Sequence, residues 1–295
     1  MSDPLTSLSD ALAARAEAAA AAVASLYPGT RAQRTGLLWQ TGVLVTSEQG
    51  LPDQAEIPAV LPGGRAVTAT LAGRDPGTNV AVLRAELPGA ARPEAAEPKL
   101  GAIALAIGAA EGSATVRLGV LHRVGPAWDS MAGGRIDRLI WLDLTLSGRD
   151  EGGPVLDAAG GLLGMSTLGP RRRVLVIPAA TVDRVVPQLL SGGRVAQGWL
   201  GLGLQPVGIP AGLQAAAGRD AGLMVVSLAA GGPAEQAGVL PGDILLEVAG
   251  QGAPHPRAVA RALAGEAVGK TVPLRLLRAG APKELQATVG LRPAA

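Results

Sequence analysis

The chain reads as mainly β: two closed antiparallel barrels and a further small β domain, with a helix at the N-terminal end. Three observations predict this class. The 295 residues include 42 glycines and 23 prolines, spread along the length in a way that favours many short strands and turns over long helices. From Gly36 onward, short apolar runs alternate with turn residues. A hydrophobic content of 48% supplies enough apolar material for two or three small cores.

The stretch before Gly36 has a different texture. Residues 5–26 are rich in alanine, and Leu5, Leu8, Leu12, Val23 and Leu26 form a sparse apolar face at roughly helical spacing. This predicts an N-terminal helical segment within residues 1–34. Asp3 and Asp10 precede Arg15 and Glu17 inside the run, unlike the basic start and unbroken apolar core of a secretory signal. No stretch approaches the ~20 apolar residues of a membrane span. The expected address is therefore the cytoplasm, with no membrane span.

The first barrel is expected from the runs Leu37 to Trp39, Val43 to Thr46, Val67 to Leu71, Val80 to Arg84 and Ile103 to Ile107. A second set follows: Val116 to Val124, Ile136 to Asp143, Pro154 to Leu156, Leu162 to Thr167 and Val174 to Ile177. Val182, Val185, Val186, Leu189 and Leu190 are then spaced for one face of a closing helix over Ala179 to Leu190. The expected organisation is 1–34 helical, 35–191 double barrel, 192–197 linker and 198–295 a separate domain.

Composition removes several classes of function. Without cysteine there is no disulfide, thiolate metal site or cysteine nucleophile. A net charge of +2 gives no electrostatic footprint for nucleic acid beyond Arg171-Arg172-Arg173, which reads as a solvated loop. Asp143, Asp150, Glu151 and Asp157 lack histidine partners and read as turn residues rather than a metal site. No cofactor is expected. Gly201-Leu202-Gly203-Leu204 is too short a glycine pattern to indicate a phosphate loop.

Chemistry concentrates at Ser147-Gly148-Arg149-Asp150-Glu151-Gly152-Gly153-Pro154-Val155-Leu156. Glycines and a proline around one polar position shape a backbone that turns sharply and can aim its amides at a reacting carbonyl. With Asp157-Ala158-Ala159-Gly160-Gly161-Leu162-Leu163-Gly164-Met165-Ser166-Thr167 following, the segment resembles the nucleophile region of the HtrA (Deg) family of trypsin-like serine proteases. That family has a serine before Gly-Gly-Pro, then an apolar pair, a turn and a strand ending Gly-apolar-Asn-Thr. The resemblance implies a trypsin-like double barrel and puts Glu151 at the serine position.

The other two triad positions follow from the same resemblance. The family's apolar-Thr-two residues-His pattern matches Val45-Thr46-Ser47-Glu48-Gln49, followed by the Leu61-Pro62-Gly63-Gly64-Arg65 turn, which puts Gln49 at the base. Its Asp-Pro-x-Thr-Asp-apolar-Ala-apolar-Leu pattern matches Asp75-Pro76-Gly77-Thr78-Asn79-Val80-Ala81-Val82-Leu83, which puts Asn79 at the carboxylate. Glutamine does not accept a proton at neutral pH, asparagine does not hold an imidazolium, and glutamate has no hydroxyl for attack. The expectation is a degenerate triad, Gln49, Asn79 and Glu151, in a chain that is not an enzyme. Glu151 is expected to pair with Arg149 or one of Arg171 to Arg173, since a partly buried carboxylate needs a cation or a raised pKa. The alternative is an active serine-type endopeptidase with an unorthodox site, using Ser147 as nucleophile and His122 as base.

Residues 198–295 resemble a bacterial PDZ domain of the type fused to HtrA proteases. The resemblance rests on Trp199-Leu200-Gly201-Leu202, on Gly231-Gly232-Pro233-Ala234-Glu235-Gln236-Ala237-Gly238-Val239 and on Pro241-Gly242-Asp243-Ile244-Leu245. It implies that the amides of Trp199, Leu200, Gly201 and Leu202 receive a peptide's terminal carboxylate, with Val259 and Leu263 facing the peptide from a helix. Apolar residues at that spacing serve core packing equally well. The function this implies is a catalytically inactive HtrA-like pseudoprotease that binds peptides or protein C-termini, in a regulatory, scaffold or chaperone-like role. A homo-oligomer or a mixed oligomer with an active relative is the further partner it admits.

Overall fold

Alanine and leucine favour helix from Pro4, where a proline at the first position costs no hydrogen bond, and helix α1 runs over Pro4–Ala20. A computed structural model of the chain describes residues 3–29, 32–87, 92–130, 132–263 and 267–293. In it α1 packs through Leu12, Ala16 and Ala19, while Leu5 and Leu8 stay exposed. Val23 and Leu26 are not on this helix. They belong to strand β1 (Val23–Gly29), so the first barrel begins inside the segment expected to be wholly helical. The cause is cross-strand pairing: β1 pairs with β2 (Ala32–Gln40) and β4 (Glu56–Val60), which buries Val23 and Leu26 better than a solvent-facing helix would.

Six strands close the first barrel: β1, β2, β3 (Val43–Ser47), β4 (Glu56–Val60), β5 (Ala66–Asp75) and β6 (Val80–Arg84), in the order β1-β2-β3-β6-β5-β4. The run Ile103 to Ile107, expected in this barrel, belongs to the second. That barrel joins β7 (Ile103–Ala110) and β8 (Ser113–Gly125) with four later strands. A small hairpin of β9 (Trp128–Asp129) and β10 (Arg135–Ile136) stands apart from it. β11 (Leu139–Leu142), β12 (Pro154–Asp157), β13 (Leu162–Leu168) and β14 (Val174–Pro178) complete the order β11-β14-β13-β12-β7-β8.

The apolar runs are continuous because both faces of these strands are covered. Leu44 points into the first barrel's interior with Leu26, Leu38, Ile57 and Leu83. Its neighbours Val43 and Val45 point outward, into a seam between the barrels shared with Leu37, Val82, Leu105, Ile107, Met165 and Ile177. The second barrel has its own interior around Leu121, Ile140, Val155, Leu163 and Val176. Helix α2 (Ala179–Gly192) covers the seam with Val182, Val185, Val186 and Leu189. Burial of each such side chain contributes about 1.5–3 kcal/mol. The seam is where the walls of the two barrels bring side chains from distant parts of the chain together.

The chain divides into two units between Val195 and Ala196. The second unit has a core around Leu223, Leu245, Val248, Leu274 and Leu276. Its strands are β15 (Gly198–Trp199), β16 (Leu202–Gly208), β17 (Ala221–Leu228), β18 (Ile244–Val248), β19 (Gln251–Gly252), β20 (Thr271–Arg278), β21 (Ala281–Thr288) and β22 (Gly290–Leu291). Helices α3 (Ala211–Ala217), α4 (Pro233–Gln236) and α5 (Pro256–Ala262) lie between them. The main sheet runs β16-β17-β18-β20-β21, which leaves β16 at an edge. Among the described residues no helix is long and apolar enough to cross a membrane.

Candidate functional site

Three expected positions meet in the seam. β3 ends in Ser47, and a 3-10 turn over Glu48–Gly50 carries Gln49. The turn between β5 and β6 carries Asn79 at φ +59°, a left-handed conformation that asparagine tolerates better than most residues. The loop before β12 carries Glu151, which is buried at 4% exposure.

That loop is held at nearly every residue. The Thr35 hydroxyl donates to the Arg149 carbonyl at 2.7 Å, and the Thr35 amide donates to the Glu151 carbonyl at 3.0 Å. The Ser166 hydroxyl donates to the Asp150 carbonyl at 3.0 Å. Gly152, at φ +95°, lies so close to the Thr35 carbonyl and the Thr46 hydroxyl that no side chain fits. Asp150 is the anchor. Its carboxylate takes the Arg117 guanidinium at 2.8 Å, the Thr115 hydroxyl at 2.9 Å and the Ser147 hydroxyl at 2.9 Å. Burial alone raises its pKa, but Arg117 and the two hydroxyls, with the Ser147 amide, outweigh burial and hold the carboxyl below its ordinary value.

Among the described residues Glu151 pairs with no arginine. The expectation of Arg149 or Arg171 to Arg173 as its partner is corrected by four neutral donors, all to Oε1: the hydroxyls of Ser47 and Thr167 at 2.9 Å each, the Leu168 amide at 3.2 Å, and Gln49 Nε2. Several hydrogen bonds satisfy a buried carboxylate oxygen without a cation. Gln49 Nε2 also reaches the Leu168 carbonyl at 2.9 Å and Thr167 Oγ1 at 3.0 Å.

Asn79 completes the network as a neutral relay. Its Oδ1 accepts from the Gln49 amide at 2.8 Å and from the Ser47 hydroxyl at 3.2 Å, and its Nδ2 donates to Thr167 Oγ1 at 2.6 Å. An aspartate here would lack that donor and would put a second negative charge in the network with Glu151. Gln49, Asn79 and Glu151 are thus mutually consistent: two neutral amides serve one carboxylate. Ser47, Gln49 and Asn79 come from the first barrel's segments and Glu151, Thr167 and Leu168 from the second's, so the network fastens the barrels together.

Its chemistry is that of a clasp. Two hydroxyls donate into a carboxylate, and no imidazole takes part that could carry a proton on to a leaving amine. Ser147 and His122, the alternative pair, are engaged elsewhere. The Ser147 hydroxyl donates to Asp150, and the His122 ring meets Trp141 edge-on at 6.3 Å between centroids. His255 caps α5 through Nδ1, which accepts from the Ala258 amide at 3.1 Å. Sequence reasoning missed Ser47 and Thr167. The signal for Ser47 was a hydroxyl ending a run of apolar strand residues, where a buried polar group needs a partner.

In the second unit, Gly201 sits at φ +77°, and an added side chain would press on Ala229 and the Trp199 ring. The Leu200 and Gly201 carbonyls accept from the Ala234 and Ala229 amides at 2.9 Å each. Leu202 starts the edge strand β16, beside α5. Leu200, Val259 and Leu263 are 2%, 6% and 4% exposed and join the core cluster, whereas Leu202 and Leu204 pack against it while partly exposed. Asp243, which follows the Pro241-Gly242 turn, holds Arg278 at 2.7 Å. Burial pushes its carboxyl up, but Arg278 and the Leu240 amide keep it below its ordinary value.

Comparison with known proteins agrees with this architecture. Residues 34–165 match the trypsin-like peptidase domain and residues 224–278 match the PDZ domain. A probable periplasmic DegP-like serine endoprotease of Brucella suis is 29% identical over 275 residues, covering 89% of this chain and 53% of that protein. Its counterpart in Rhizobium meliloti is 27% identical over the same coverage of this chain. The chain therefore spans about half the length of the curated relatives it matches. Among solved structures, the HtrA-type protease AlgW with a decapeptide superposes with a TM-score of 0.77 at 25% identity, covering 96% of this chain and 99% of that one. The serine endoprotease of Yersinia pestis superposes at 0.75 with 26% identity, covering 95% and 98%.

These relatives overturn the cytoplasmic address, since the curated ones are named periplasmic. The expectation rested on charged residues in the alanine-rich segment. That segment is helix α1 packed on the peptidase-like unit, so its charges reflect a half-exposed helix and carry no information about export.

Proposed function

The chain belongs to the HtrA family of trypsin-like serine proteases with a PDZ domain, and from that premise we propose that it is a pseudoprotease: it binds polypeptide and does not cleave it. One observation carries this reading. At the nucleophile position stands a buried carboxylate whose Oε1 is occupied by donors from both barrels, including the side chain at the base position. Attack on a carbonyl needs a hydroxyl in that place and an adjacent group to take its proton. The loop keeps its glycines and is tethered to Thr35 and Ser166, so the frame is in place and the change is to the chemistry.

Binding is then the task of the PDZ unit. The carbonyls of Leu200 and Gly201 are turned toward Ala234 and Ala229, which leaves this glycine-containing turn free to offer its amides at the head of the edge strand β16. An extended peptide adds to such an edge as a further strand, with its terminal carboxylate on the amides. Leu202 and Leu204 supply apolar contact, and Val259 and Leu263 support the helix side from the core. The location that fits the relatives is the periplasm or outside the cell, and the role is regulatory, scaffolding or chaperone-like.

The test is a calorimetric titration of the full chain with an apolar-ended peptide in free and C-terminally amidated form, beside unfolded casein followed on a gel. The free peptide binds, the amidated one does not, and the casein persists. Equal binding of both peptides, or loss of the casein, would contradict the proposal.

A further inference from the structure

Most ion pairs of the peptidase-like unit use arginine: Arg74, Arg92, Arg117, Arg138 and Arg184 each hold a carboxylate. Among the described residues, Arg123, Arg171, Arg172 and Arg173 hold none, and all four are exposed. Two of them meet at one aromatic ring, and Arg171 and Arg172 directly precede Arg173 in the chain. Arg123 lies directly across from Trp141 in the β8–β11 pairing, and the Arg173 guanidinium stands 5.4 Å from the centre of that ring.

A β-bulge brings β8 into this arrangement. Trp141 pairs with Arg123 while Leu142 pairs with Leu121, so one extra residue is accommodated on β8. Leu121 and Leu142 point into the barrel, which puts Arg123 and Trp141 on the outside. The turn between β13 and β14 is the second unusual feature. Arg171 (φ +59°, ψ +29°) and Arg172 (φ +58°) are consecutive left-handed residues. Asn-Gly adopts such a pair at little cost, whereas two arginines are held there against their backbone preference.

We infer that this face docks an acidic, extended stretch of polypeptide, whose carboxylates pair with Arg123, Arg171, Arg172 and Arg173 while an apolar side chain lies against Trp141. Arginine forks match carboxylates in paired hydrogen bonds. A polypeptide fits better than a nucleic acid for two reasons. The chain's net charge is only +2, too little for a basic track along a phosphate backbone. Along the same strand, Val120, Leu118 and Val116 are 38%, 56% and 47% exposed, a row that apolar side chains of a peptide can cover. The site is separate from the PDZ groove and needs no free C-terminus.

The probe is a short fluorescein-labelled peptide of alternating Glu and Leu with an amidated C-terminus, which keeps this test independent of terminal-carboxylate recognition by the PDZ unit. It is titrated with the full chain, beside the matching Gln and Leu peptide and a short single-stranded DNA. Fluorescence anisotropy should show binding of the acidic peptide that weakens with salt, and little binding of the other two. Joint Arg171→Gly and Arg172→Gly should weaken it about tenfold without lowering the thermal midpoint, because exposed charge pairs contribute modestly each and glycine relieves the turn. Arg123→Gln should weaken it by a smaller factor with the fold intact. Equal binding of the Glu and Gln peptides, unchanged affinity in the arginine variants, tighter binding of the DNA, or no binding of the acidic peptide would each overturn the inference.

Discussion

Replacing Glu151 by alanine should destabilise the peptidase-like unit. The carboxylate receives four hydrogen bonds on one oxygen. Two donors have other acceptors in place: Ser47 can turn fully to Asn79 Oδ1, and Gln49 retains the Leu168 carbonyl. The Leu168 amide has no such alternative in the network, and the Thr167 hydroxyl has only the longer contact with Ser47 Oγ at 3.3 Å. A buried donor left unsatisfied costs about 1–3 kcal/mol, so the loss should be about 3 kcal/mol. With a urea slope of about 2 kcal/mol per molar, that lowers the midpoint by about 1.5 M. Unfolding is followed by tryptophan fluorescence, since Trp39 is buried in the inter-barrel seam. Glu151→Gln should fall between wild type and alanine, because its carbonyl can accept but carries no charge. A midpoint unchanged or raised in Glu151→Ala would refute the clasp.

Other consequences can be checked with the same preparations. Asn79→Asp should destabilise by about 1–2 kcal/mol at neutral pH, through the lost donor to Thr167 and like-charge repulsion from Glu151, and the deficit should shrink in acid as measured by urea unfolding. Arg117→Ala should cost stability at neutral pH and progressively less in acid. The pKa of Asp150 is depressed in the folded state, so its contribution is complete above the ordinary aspartate value near ~4 and is lost as pH falls through the lower folded value; equal cost at both pH extremes would contradict this. Gly201→Val should abolish binding of a free-ended peptide that otherwise binds at roughly micromolar strength, about −8 kcal/mol, and retained binding in a titration would remove the turn amides from the site. Glu151→Ser alone should stay inert toward casein, whereas joint Gln49→His, Asn79→Asp and Glu151→Ser should recover weak turnover, because triad members act as a unit.

How much was legible in the sequence depended on how local each cause was. The runs around Leu44, Val82 and Met165 announced barrel strands, and the spacing of Val182, Val185, Val186 and Leu189 announced α2, because periodicity is a property of neighbouring residues. β1 was not legible: Val23 and Leu26 follow an alanine-rich helix at helical spacing, and only pairing with β2 and β4 makes them a strand. Ile103 to Ile107 was recognisable as a strand but not as a member of the second barrel, since closure is set by partners far along the chain. The positions of Gln49, Asn79 and Glu151 could be read from motif order. Their interdependence could not, because it passes through Thr167 Oγ1 and Ser47 Oγ, hydroxyls whose partners lie 16 to 120 residues away. An arginine was the obvious partner for a buried glutamate, and a set of neutral donors serves instead.

The account's central claim, that the nucleophile position is chemically silent, is tested most directly by intact-mass spectrometry after incubation with a fluorophosphonate probe, using an active trypsin-like protease as positive control. The account predicts that the chain's mass is unchanged while the control gains one adduct. A stoichiometric adduct on this chain, mapped to Ser47, Ser147 or any other serine, would contradict it.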